Sequence, residues 1–254
     1  MEGKQRLNFV DLTSISNTFC NPKKSWHELV ESMQNIYKNF IKSEINPIEL
    51  HRLIQSEELN TGVPDIASVD IIIESINRYI QEYKIPGSTT LFLDFKRHAA
   101  IYLFAIGSQE KSLELLKDIT TVINEKVESN KFNLDINLVC VKDCVKLNMA
   151  AIQFWLENYE ESRIILEEII TYYESTDDEL YLIKMVSFIS VAFTYLAWIY
   201  AKNGELEDAE KAFLHALKVI KTVKMHTKDK LKEQGFINTK TKKIFIYGKL
   251  TFLL

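Results

Sequence analysis

Between Ser108 and Asn203 the chain contains neither glycine nor proline. A β-rich fold spends these residues on its many turns, so a stretch this long without them argues for helices joined by tight connections. The whole chain carries only seven Gly and four Pro among 254 residues, so the constraint is general. Disorder is disfavoured as well, because 46% of residues are hydrophobic and the net charge is only -4. The predicted fold class is all-α, and the length suffices for a sizeable core.

The apolar spacing predicts nine helices. Ser25-Trp26-His27-Glu28 reads as a capping box opening the first. Asn46-Pro47 opens the second, which runs to about Leu59. The others are expected near residues 66–84, 89–106, 109–128, 134–156, 159–174, 178–202 and from Asn203-Gly204 to Glu233. Short turns between them require antiparallel neighbours. The expected organisation is a poorly defined segment 1–24, N-terminal helices at 25–87, a hairpin array at 88–233 and a tail at 234–254. The tail, Ile244 to Leu254, looks β-prone.

Met185 to Ala201 is free of charge, and Lys184 is the only charge from Leu180 to Ala201. That run is near the length of a membrane span. Ser187, Ser190 and Thr194 dilute it, so the expectation is a buried helix with no membrane span. Three cysteines, Cys20, Cys140 and Cys144, give no disulfide framework and fit a reducing compartment, cytoplasmic or nuclear. The N-terminus lacks the apolar stretch of a secretory signal.

An internal repeat organises the array. Its strongest copy carries Phe193, Leu196, Ala197 and Tyr200, then Gly204 at a turn, then Ala209, Phe213, Ala216 and Leu217. Ala197 and Ala209 allow two helices to approach closely, and Gly204 accepts a left-handed backbone. A weaker copy holds Ala99, Ala100, Leu103, Gly107 and Ser112; another holds Ala150, Ala151, Phe154 and Ser162, with Asn158 standing in for the turn glycine. This pattern resembles the tetratricopeptide repeat. Its standard period is about 34 residues, and the longer spacing of Ser112, Ser162 and Ala209 departs from it.

The resemblance implies antiparallel hairpins stacked as a right-handed α-solenoid. It also implies a concave groove lined by the first helix of each hairpin. Carried over, that groove comprises Arg97, His98 and Ile101, then Asn148, Ile152 and Trp155, then Thr194, Tyr195 and Trp198. Some members grip a terminal carboxylate with Lys, Arg and Asn at such places. Arg97 and Asn148 fit in type, but the third triplet is Thr and aromatic, so an apolar groove for a helix or extended segment fits better.

From residue 218 to 243 nine lysines face only Asp229 and Glu233, and Lys221, Lys224, Lys228, Lys230 and Lys232 form a basic patch. Such a run suits phosphates or nucleic acid. The absence of Arg and the preference of cations for helix C-termini favour a solvated helix end. Cys140 and Cys144 lack the further ligands of a metal site, and the five histidines are scattered. No cofactor and no catalytic motif is read. The leading expectation is a non-enzymatic scaffold or adaptor in a multi-subunit complex, docking a peptide or helix of a protein partner, with homo-oligomerisation open. The alternatives are a nucleic-acid or phosphate binder and a peptide-sensing receptor.

Overall fold

Asparagine and aspartate side chains start four of the helices. Asn21 accepts from the Lys24 amide at 3.2 Å, and Asp65 from Ser68 at 2.8 Å. Asp135 accepts from Asn137 at 2.9 Å and Asp178 from Tyr181 at 3.0 Å. Each satisfies an amide that the first turn leaves without an intrahelical partner. The first helix therefore begins at Pro22, earlier than the capping box at Ser25 implied. Ser25 is buried, and its hydroxyl donates back to the carbonyls of Asn21 and Pro22.

A computed structural model describes residues 21–45, 64–84, 87–129 and 135–233, together with Arg52 and Gln55, with side chains of the last helix to Val219. The helices are α1 (Pro22–Lys42), α2 (Ile66–Tyr83), α3 (Ser88–Ala105), α4 (Gln109–Ser129), α5 (Ile136–Trp155), α6 (Tyr159–Ser175), α7 (Glu179–Lys202) and α8 (Leu206–Glu233). No strand occurs among the described residues, and the protein is all-α. The helix expected from Pro47 and the tail 234–254 lie outside the described residues.

Three of the turns are built alike. Gly107, Glu157 and Gly204 all take left-handed backbone, with φ of 89°, 63° and 82°. After each, the next amide reaches back five residues: Ser108 to Leu103, Asn158 to Gln153 and Glu205 to Tyr200, at 2.8, 2.9 and 2.8 Å. This is the Schellman closure of a helix. The middle turn has the same length as the other two, but Asn158 does not stand in for the glycine as expected. Glu157 occupies the glycine position, and Asn158 corresponds to Ser108 and Glu205.

Past each turn the two helices meet at small residues. The Ser112 hydroxyl donates to the Ala100 carbonyl at 2.7 Å, and that of Ser162 to Ala150 at 2.8 Å. In the third hairpin Ala197 and Ala209 hold the same places, both buried. A side chain larger than Ser at these points would push the backbones apart.

The chain divides into two compact units, 1–133 and 134–254. The hairpin α3/α4 therefore belongs with α1 and α2. In this first unit α3 lies against α1, α2 and α4. Its Tyr102 is fully buried, stands 5.1 Å from the Trp26 ring, and donates its hydroxyl to the Pro64 carbonyl at 2.5 Å.

In the second unit α7 lies against α5, α6 and α8. It runs parallel to α5: Tyr181 meets Asp143 near one end, and Tyr195 stands 5.1 Å from Phe154 near the other. It runs antiparallel to α8, with Phe193 beside His215 and Trp198 beside Phe213. By length and composition α7 could cross a membrane, with mean hydropathy 1.8, yet 61% of that window is buried inside the protein.

A left-handed conformation costs a residue with a Cβ roughly 1 kcal/mol relative to glycine. Glu157→Gly should therefore raise the unfolding free energy by about 1 kcal/mol, and Gly204→Ala should lower it by a similar amount. Urea titration followed by circular dichroism measures both.

Candidate functional site

The repeated turns fix which residues of the hairpins are equivalent. Counting back from Gly107, Glu157 and Gly204, His98 corresponds to Asn148 and Tyr195, and Ile101 to Ala151 and Trp198. Ile152 instead matches Tyr102 and Ile199, all three fully buried. Trp155 falls at the helix end, where 39% of it is exposed. Of the nine residues expected in a groove, Arg97, Ile101, Asn148, Ile152, Thr194 and Tyr195 are buried. Their burial removes them from an open surface. His98 is mostly covered and Trp198 half-buried. The side chains of Lys221, Lys224, Lys228, Lys230 and Lys232 lie outside the described residues, although α8 runs through them.

In the first unit, Arg97 and His98 join Asp94 in a cluster on one face of α3. The Arg97 guanidinium donates to Asp94 Oδ1 at 2.8 Å through Nε, and its terminal nitrogen lies 2.7 Å from His98 Nε2. Arginine has no lone pair to offer, so Nε2 must accept and the imidazole proton sits on Nδ1. Burial, and then the charge of Arg97, push the His98 pKa down to about 4, against the pull of Asp94. Burial raises the Asp94 pKa, but the charges of Arg97 and His98 outweigh it and hold the carboxyl below its usual range. Near neutral pH the cluster is thus one ion pair with a neutral imidazole whose Nδ1 is buried without a hydrogen-bond partner among the described residues. Asp94 escaped the sequence reading, although its spacing of three and four from Arg97 and His98 is the ordinary signal of a helix-face ion pair.

The second unit has two features, one polar and one apolar. The Tyr181 hydroxyl donates to Asp143 Oδ2 at 2.6 Å, joining α7 to α5 inside the core. Burial raises the Asp143 pKa, against the hydrogen bond from Tyr181, and burial together with Asp143 raises that of Tyr181. Beside them Cys140 is buried, and its thiol is pushed up to about 11, mainly by burial. A thiol so disposed is protonated and a poor nucleophile near neutral pH.

The second feature is an apolar stripe on α7. Leu180, Ile183, Ser187, Val191 and Trp198 follow helical spacing, and all are exposed or half-buried. At 3.6 residues per turn Leu180, Ser187, Val191 and Trp198 lie roughly opposite Tyr200, with Ile183 about 100° from it, and Tyr200 donates to Glu167 of α6 at 3.4 Å. The stripe is therefore the face of α7 that α6 does not cover, between α5 and α8. Lys184, hydrogen-bonded to Asn137, is the only charged residue from Leu180 to Ala201. Trp198 Nε1 is a buried donor with no acceptor among the described residues.

No group of three or more His, Cys, Asp or Glu side chains that could hold a metal ion occurs among the described residues. Comparison with protein-family models, with curated proteins and with solved structures finds no match to this chain.

The His98 environment sets a pH dependence. Its folded pKa lies near 4 and its unfolded one near 6.5, so the unfolded chain takes up the proton first as pH falls. Stability should drop from about pH 6.5 downward, by ~2 kcal/mol near pH 5 from this group. His98→Gln, whose Oε1 can accept from Arg97, should lack that part of the slope in urea titrations across pH. Separately, Tyr181→Phe leaves Asp143 buried without its donor and should cost about 2 kcal/mol at neutral pH.

Proposed function

We propose that this chain is a non-enzymatic protein-interaction module, built of tetratricopeptide-like hairpins stacked with a right-handed twist, that docks an apolar segment of a partner within a multi-subunit assembly. The observation that carries this reading is the open apolar stripe of α7, Leu180, Ile183, Ser187, Val191 and Trp198, on the side away from α6. In such arrays the first helices of successive hairpins lie side by side, and the second helices cover their backs. The parallel pairing of α5 with α7, with α6 behind, supports that arrangement in the second unit.

The stripe is suited to binding by shape and desolvation. Side chains that are half-buried lose little rotamer freedom when covered, and tryptophan, which closes the stripe at position 198, is a common energetic anchor. The ion cluster of α3 has a different role in this reading. Asp94 and Arg97 neutralise each other, and Arg97 and His98 are largely covered, so the cluster holds α3 in place and is not part of the docking face.

The test is capture of partners by the tagged full chain from lysate of its own source cells, with chemical cross-linking and mass spectrometry. A recurrent partner segment cross-linked to α7 is the expected result. Trp198→Ala should weaken its binding about tenfold or more without loss of helix content by circular dichroism. Recovery of the chain as a bare monomer, or equal capture by the variant, would overturn the reading.

A further inference from the structure

The seam along the middle of the α7 stripe has the same layout from either end. Leu180, Ser187, Val191 and Trp198 follow one another at intervals of seven, four and seven residues. At 3.6 residues per turn they fall within about 20° of a single line along the helix. The two large side chains stand at the ends of that line and the two shorter ones at its middle. Ile183 and Lys184 lie to either side of it, and Lys184 is held by Asn137 of α5. The four seam residues are exposed or half-buried over a length of ~27 Å, and none is charged.

A two-fold axis brings the same patch of two copies together, so a residue that meets another is met by it in return. An antiparallel pair of α7 helices, crossed by the axis level with Ile189, satisfies this condition. Each Trp198 then lies against Leu180 of the second copy, and each Ser187 against Val191 of the second copy. The short side chains sit nearest the axis, where the two helices approach most closely.

The charges at the two ends of α7 select the direction. Lys202 is exposed, one turn past Trp198 and about 40° from the seam. Asp177, Asp178 and Glu179 gather at the other end, all exposed. The antiparallel arrangement brings Lys202 level with Asp177 of the second copy, and does so twice. A parallel arrangement would instead set lysine beside lysine and the acidic groups beside one another.

We propose that a second copy of this chain docks on the α7 stripe, antiparallel about a two-fold axis level with Ile189, with Lys202 of each copy facing Asp177 of the other. The proposal rests on the reading of the stripe as a docking face, and names its occupant when no partner segment is present. A seam of this length and about 10 Å wide covers well under the ~800 Å² per copy of a stable interface. The dimer is therefore weak and reversible, with a dissociation constant on the order of tens of micromolar, and a tighter partner segment displaces it.

Sedimentation equilibrium of the purified full chain at low ionic strength, from about 5 to about 500 µM, tests the pairing. The expected result is a monomer–dimer equilibrium with its midpoint inside that range. Val191→Glu places a charge near the axis in both copies and should weaken the dimer more than tenfold, while Ile164→Glu on the exposed face of α6 leaves it unchanged. Lys202→Glu should weaken it about fivefold, and adding Asp177→Lys to that variant should recover most of the loss. Circular dichroism checks that every variant keeps its helix content. A chain monomeric at all concentrations, a dimer indifferent to Val191→Glu, or no recovery on the double charge reversal would each overturn the proposal. A monomeric chain that still captures a partner segment through α7 overturns the dimer alone; a dimer that captures none overturns the partner reading alone.

Discussion

Two constraints set twelve residues apart hold each hairpin in shape. Ala100 faces Ser112, Ala150 faces Ser162 and Ala197 faces Ala209, each pair separated by a turn with one left-handed residue. The turn fixes where the chain reverses, and the small pair fixes how close the two helices lie. In the first two hairpins the serine hydroxyl adds a direct bond to the facing backbone carbonyl. That carbonyl already accepts within its own helix, so the bond uses its second lone pair and leaves the ladder intact. The larger side chains on both sides, Tyr102, Leu116, Ile152, Leu166 and Ile199 among them, are fully buried around that spacing.

The apolarity of α7 follows from its position. A helix packed against three others has few directions left for charge, so its sequence approaches that of a membrane span. Tyr181, Asp143 and the buried Ser190 and Thr194 find partners inside the protein. Thr194 donates to the Ser190 carbonyl, and Ser190 to that of Ser187, which keeps hydroxyls tolerable in an apolar setting. What burial by its neighbours does not account for is the apolar character of Leu180, Ile183 and Val191 on the uncovered side.

The helices were legible because their ends carry chemistry: Asp65, Asp178, Gly107 and Gly204 all mark boundaries found in the structure. The middle turn was misread because the sequence signal for left-handed backbone is glycine, and here Glu157 adopts it. That error left the middle helix without a register, so Ile152 and Trp155 were placed beside residues to which they do not correspond. Burial was the second obstacle. Spacing tells which residues share a face, but only the packing partners decide whether that face is open. Asp94 was missed for a third reason: its significance lies in pairing with Arg97 and His98, and no residue type alone announces a pair.

The equivalent positions differ in how freely they vary between hairpins. At 100, 150 and 197 the residue is always alanine, and at 112, 162 and 209 it is serine or alanine. At 94, 144 and 191 it is aspartate, cysteine and valine; at 98, 148 and 195 it is histidine, asparagine and tyrosine. The first set is bound by the distance between two backbones, a geometric demand that only small side chains meet. The second set lies under no such demand, so each hairpin carries its own chemistry there, ionic in α3 and apolar in α7. A repeat is therefore read from its tightest contacts, and those contacts are the same whatever the array holds. On the reading proposed above, specificity belongs to the positions where the hairpins disagree, and on α7 that difference is an uncharged stripe ending at Trp198.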